Sequence, residues 1–421
     1  MDATEQFVEF DKKLVAAAKG IKILSTLGWG EQTAHDFLEG WRSGNPKTPQ
    51  IEYQKFNYAE EKSLLKSIID TANSDHPVGG YLAETAHSYY VAAQMLESLG
   101  TSAFRECSEA LYGRPDESLG ALSNLELADD FIRITNDFAA IMDFSDDTGV
   151  LHSGETAIKI KSRADEFFQD YSIKVMVDDD LTSKAAAGSE RVRIRGNSNF
   201  TLAEIEQLIQ HEVFVHSASM LNGRRQPWLK SLGLGAPRTT ATQEGLATFA
   251  ELITGTMDLA RLRRIALRIK GIQHALDGAD FMETFKFFMN AGQSELESFQ
   301  SAARIFRGGD VTGRNVFTKD GVYLKGLLSV HTFLRKAIQE RKIDYPQRLF
   351  AGRLTISDIV KLDGAFDDGW IAPAKYLPPW VANRQGLATY LCYNAFSHRL
   401  KLEEIRLEDF AQEMRDLSAV D

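Results

Sequence analysis

Cysteine is almost missing: Cys107 and Cys392 are the only two in 421 residues. That excludes a disulfide framework and fits a reducing compartment. Nowhere does the chain stay apolar for the ~18–20 residues a membrane span needs. Its start, MDATEQFVEFDKKLVAAAKG, breaks apolar residues with charge and lacks the basic end and continuous apolar stretch of a secretory signal. Positive charge is short as well, with 48 Lys and Arg against 59 Asp and Glu and a formal net charge of -11. Neither a nucleic-acid backbone nor an anionic membrane is the expected main partner, because both need a cationic face. Only 10 prolines among 43% hydrophobic and 25% charged residues exclude collagenous and mucin-like classes. The expectation is a folded, cytoplasmic protein without internal repeats.

What is there is mostly helical. Phe7, Phe10, Leu14, Val15 and Ala18 recur at helical spacing, and Tyr81 to Leu111 reads as two helices broken near Gly100. A helical region over 1–150 followed by a catalytic region over 151–421 is expected, with a weak boundary. Between Tyr171 and Phe200, IKVMV and RVRIR alternate side chains with period two, and the polar DDDLTSKAAAGSE between them predicts a hairpin. The aspartates 178–180 lack the spacing of a calcium loop and read as a polar turn. The fold class is therefore α+β, predominantly α-helical, with a small antiparallel sheet just before the next helix.

That helix, FTLAEIEQLIQHEVFVHSASM, opens with a capping box of Thr201 and Glu204 and a hydrophobic staple of Phe200 and Ile205. His211, Glu212 and His216 follow. Zinc peptidases commonly carry two histidines four apart on one helical face with a glutamate between them as base. Here the histidines are five apart, which on a regular helix places them ~140° from each other. A π-bulge between Gln210 and Ser217 would realign them, and Glu212 would then stand beside a metal-bound water. The plainer alternative is that two histidines and a glutamate share a helix by chance.

A second helix begins in TTATQEGLATFAEL, where Thr240 and Gln243 also form a capping-box pattern. Glu244 in its first turn can be a third, oxygen ligand or simply an acid favoured by the helix dipole. Glu251 is a rival on roughly the same face. Two turns span ~11 Å, so one of the two glutamates reaches the ion and the other is left to orient a histidine ring.

The combination of HEVFVH, NGRRQP and TQEGLA resembles the bacterial proteins named for their QEGLA motif, described as modulating flavohaemoglobin expression. It also resembles their animal relatives, the microtubule-associated tyrosine carboxypeptidases. GGYLAETAHSYYVAAQMLESLGT, LYGRPDE and FRGGDVTGRNVFTKDGVYLKG extend the likeness from about residue 75 to at least residue 330. The resemblance implies a zincin-like zinc metallopeptidase holding one Zn2+ ion through His211, His216 and Glu244, with Glu212 as catalytic base. It also implies a carboxypeptidase acting on a peptide or protein C-terminus.

A C-terminal carboxylate needs a cation, and arginine offers a fork for both oxygens. The candidates are Arg304, Arg307, Arg314 and Lys319, with Arg225 of NGRRQP, each equally readable as a surface residue. Tyr323 is a candidate oxyanion donor. The strand RVRIR is a candidate edge for the substrate main chain. The other histidines, including His398, stand isolated from any ligand spacing. Two competing functions remain: a noncatalytic zinc-binding regulator, and a zinc hydrolase of a non-peptide amide or ester.

Overall fold

The computed structural model describes residues 3–139, 149–179, 181 and 183–397, so Asp180 and His398 lie outside the described residues. Helices dominate. In the first part Ala3–Ala18, Ala59–Thr71, Pro77–Glu97 and Ser102–Tyr112 pack together, and the expected break falls between Glu97 and Ser102. The apolar face of the first helix is buried at Phe7, Phe10, Leu14 and Ala18. One core cluster joins these side chains to Val215, Phe249, Leu324 and Trp380, so residues on both sides of position 150 bury the same apolar surface. No described helix is long and apolar enough to cross a membrane.

The sheet differs from the expected hairpin. Lys174–Asp178 pairs with Arg191–Arg195 in parallel, from Lys174 opposite Arg191 to Asp178 opposite Arg195. The polar connection contains a strand of its own, Ala185–Ala187, which pairs antiparallel on the other side of Arg191–Arg195. A parallel pair needs a crossover rather than a tight turn, and this connection supplies it. Alanine has little strand propensity, so this strand carried no signal. Arg191–Arg195 is therefore the central strand, with no free edge for a substrate. The edge nearest the histidine helix is Ala185–Ala187. A separate antiparallel pair, Val150–His152 with Asn199–Thr201, leads straight into that helix.

Thr201 caps the helix as its sequence requires: its side chain accepts from the Glu204 amide while Glu204 accepts from the Thr201 amide. Phe200 and Ile205 are both buried beside the cap. The second expected capping box does not form. A 3-10 turn, Pro237–Thr239, runs directly into the helix Thr240–Ile253, so the backbone at Thr239 and Thr240 is already helical. An N-cap side chain needs an extended residue. Gln243 is instead fully buried, with neither amide atom hydrogen-bonded among the described residues.

The helix Thr240–Ile253 crosses Val322–Gln339 at a contact only glycine allows. A Cβ on Gly245 would lie 2.3 Å from the Gly326 backbone, and one on Gly326 would lie 2.2 Å from the Ala241 carbonyl oxygen. Gly326→Ala should therefore force the two helices apart and cost about 1–3 kcal/mol. A thermal melt with a Tm close to that of the parent chain would contradict this close crossing.

Candidate metal centre

From Ile209 to Ser217 the histidine helix is a π-helix of nine residues, longer than a single bulge, between the α-helices Leu202–Leu208 and Ala218–Arg225. The i to i+5 bonding is explicit where the Ala218 amide donates to the Val213 carbonyl. A wider turn lets three successive apolar side chains be buried. Val213 and Phe214 enter the core formed with the sheet, whereas Val215 enters the core formed with the long helices. The same widening brings residues five apart onto one face. The His211 and His216 rings stand with centroids 4.8 Å apart at 85°.

Glu244 meets both histidines. Its Oε2 lies 3.4 Å from His211 Nε2 and 3.6 Å from His216 Nε2, and the ligand atoms of all three residues lie within 4.8 Å of one another. Tetrahedral zinc with bonds of about 2.0–2.1 Å separates its ligand atoms by about 3.3–3.4 Å. Glu244 Oε2 is buried and accepts no hydrogen bond among the described residues. Two imidazoles and such a carboxylate fit a zinc ion by donor type and by spacing.

Glu251 takes the other role open to it. Its Oε1 lies 2.6 Å from His211 Nδ1, its Oε2 accepts from Gln207 Nε2 at 2.6 Å, and Arg261 grips both oxygens at 3.2 Å. Burial pushes the Glu251 carboxyl up, but Arg261 and His211 outweigh it and hold it at about 2. With Nδ1 so engaged, His211 offers Nε2 to the centre. His216 Nδ1, by contrast, is buried without a partner among the described residues. Burial opposes the charged form of His211, yet Glu244 and Glu251 hold its pKa well above the ordinary value, while burial lowers that of His216.

Glu212 is half-buried, and its Oε2 accepts the Ala187 amide of the edge strand at 2.9 Å. Lys319 Nζ binds Glu244 Oε1 at 3.0 Å, leaving Oε2 to the histidines. Tyr323 is buried beneath cations, with Lys319 Nζ 5.2 Å and Arg268 Cζ 5.3 Å from its ring centroid. Arg304 grips Asp320 with both arms. Arg307 lies over Phe317 at 5.3 Å with Nε unpartnered, and burial with the neighbouring Arg304 brings it down to about 10. Arg225 is half-exposed against Tyr376 and Asp170, and the Arg314 backbone bonds to Ala275. Neither of these two has a described contact with the histidines.

A family model described as microtubule-associated tyrosine carboxypeptidase matches residues 36–399. The chain belongs to this family. None of the curated proteins matches it by sequence. Membership makes the chain a protein of a carboxypeptidase family, and it covers every residue of the cluster just described.

Several residues of the site carried no recognisable signal in the sequence. Arg261, Arg268 and Asp320 are spread along a helical stretch and a turn, and only the fold shows them packed around Tyr323 and Glu251. Asp320 is buried, which raises its pKa, but Arg304 and Arg268 outweigh this and hold it well below 3.8.

Two outcomes follow. Glu251→Gln keeps the shape and removes the charge, so zinc affinity should fall about 10–100-fold; competition against a chelating dye measures it, and unchanged affinity would rule out the orienting role. Asp320→Asn strands Arg304 and Arg268 and should cost about 3–5 kcal/mol. Because the folded pKa of Asp320 is depressed, its contribution is complete well above the unfolded value and disappears as pH falls. The stability gap between parent and variant should therefore be constant above about pH 5, begin to narrow near about pH 4 and go on narrowing as pH falls further in denaturant titrations.

Proposed function

We propose that the chain is a zinc-dependent carboxypeptidase that removes a residue from the C-terminus of a peptide or protein. The observation that carries it is the meeting of His211, His216 and Glu244 at zinc-like spacing, with Glu212 beside them and half-open to solvent. His211, His216 and Glu244 would hold the zinc ion, which would supply a Lewis acid there. Glu212 takes a proton from the attacking water and returns it to the leaving amine. Its bond to the Ala187 amide fixes the carboxylate next to the edge strand Ala185–Ala187.

Lys319 acts on Glu244 rather than on substrate, directing one carboxylate oxygen to the histidines. Tyr323, under its layer of cations, is suited to hydrogen-bond the oxygen that becomes negative in the transition state. The family's name specifies tyrosine, so peptides ending in tyrosine are the first to offer.

The test is digestion of a peptide library by the zinc-loaded chain, read by mass spectrometry for loss of single terminal residues. Glu212→Gln should retain its zinc while turnover falls at least about 100-fold. Zinc-loaded parent chain that shortens no peptide would contradict the peptidase and favour a noncatalytic zinc protein. Equal turnover by the Gln variant would remove Glu212 from the mechanism.

A further inference from the structure

A strand at the edge of a sheet carries main-chain groups that its neighbour does not use. Along Ala185–Ala187 the ladder shows which they are. The Arg195 amide donates to the Lys184 carbonyl at 3.0 Å and the Gly188 amide to the Arg191 carbonyl at 2.8 Å, so residues 184 and 188 turn toward the central strand. Main-chain groups alternate sides along a strand, which turns the Ala187 amide outward. A donor left there needs a partner from elsewhere.

Two side chains of the histidine helix grip this end of the strand. Glu212 Oε2 accepts the Ala187 amide at 2.9 Å, and Ser217 Oγ donates to the Gly188 carbonyl at 3.0 Å. An acceptor and a donor on the helix thus meet a donor and an acceptor in consecutive residues of the chain opposite. Glu212 and Ser217 are five apart, as His211 and His216 are, and all four lie in the π-helix Ile209–Ser217. On an α-helix residues five apart diverge by ~140°, whereas the wider turn brings them onto one face. The π-helix therefore presents two columns, the histidines toward Glu244 and the Glu212 and Ser217 pair toward the strand.

Both sides of this clamp are anchored. Val192 and Ile194 of the central strand are fully buried in the same core as Val213 and Phe214 of the π-helix. Ser217 is fully buried as well, whereas Glu212 is half-buried. Glu212 Oε1 has no hydrogen bond among the described residues, so one oxygen of the carboxylate is held while the other is uncommitted.

We propose that Ser217 is a positioning residue for the Glu212 base. By holding the Gly188 carbonyl it fixes the strand end that carries the Ala187 amide, and through that amide it sets where Glu212 places its uncommitted oxygen. The inference rests on the carboxypeptidase reading, in which Glu212 moves the proton. Misplacing a catalytic group by about 1 Å costs on the order of 100-fold, and a clamp that keeps one of its two bonds should cost less.

The test begins with the zinc-loaded chain and a tyrosine-ending peptide. Ser217→Ala should lower kcat about tenfold while KM stays within about twofold and zinc uptake is unchanged. In the Glu212→Gln background the same substitution should lower the residual turnover no further, because the residue it acts through is already disabled. Ala187→Pro removes the amide hydrogen itself at an outward-facing edge position and should reproduce the loss of kcat with Ser217 intact. A readout without hydrolysis is residue-resolved hydrogen exchange of the metal-free protein. There Ser217→Ala should speed exchange of the Ala187 amide about tenfold and leave the Arg195 amide, bonded within the ladder, at the parental rate. Unchanged kcat in Ser217→Ala, an equal loss in the Glu212→Gln background, or exchange that rises equally at Ala187 and Arg195 would overturn the assignment. Absence of hydrolysis by the parent, with Ala187 exchange still dependent on Ser217, would count against the peptidase reading alone.

Discussion

The widening of the helix at Ile209–Ser217 is the constraint on which the site depends. Histidines five apart diverge on an α-helix and converge on a π-helix, so Nε2 of both can approach one carboxylate oxygen only in the second geometry. A π-helix is a rare conformation and needs support from packing. That support is local: Val213 and Phe214 anchor in one core and Val215 in the other. Such burial on opposite sides leaves no face on which the segment could relax to a narrower turn without withdrawing an apolar side chain.

The third member of the cluster arrives through a backbone contact rather than a side-chain one. Gly245 and Gly326 let two helices touch, and that contact brings Glu244 under the histidines and Lys319 against its far oxygen. Glu251, seven residues further along the same helix, then falls beneath His211. Arg261, Arg268, Arg304 and Asp320 form a second layer that keeps the buried carboxylates ionised. Removing one partner from such a layer costs far more than the pair contributes, since an unpaired charge is left in a poorly solvated place.

Much of this was legible before any fold was known. The unusual spacing of His211 and His216 demanded a local departure from α geometry between Gln210 and Ser217, and Thr201 with Glu204 marked the helix start. The alternatives for Glu244 and Glu251 were defined by helix rise alone, and distance assigns one to the cluster and the other to His211. The sheet was less legible. Ala185–Ala187 has no strand composition, so the parallel pairing it bridges looked like a hairpin. The Thr240 pattern misled because a preceding 3-10 turn, set by Pro237, had already started the helix.

X-ray absorption at the zinc edge of the purified, zinc-loaded chain tests the central claim most directly. Convergence of His211, His216 and Glu244 predicts one zinc per chain, with two imidazoles and otherwise oxygen at about 2.0–2.1 Å, and no sulfur. His216→Ala should remove one imidazole from that shell. A chain that takes up no stoichiometric zinc, or a shell without imidazole scattering, would contradict the account.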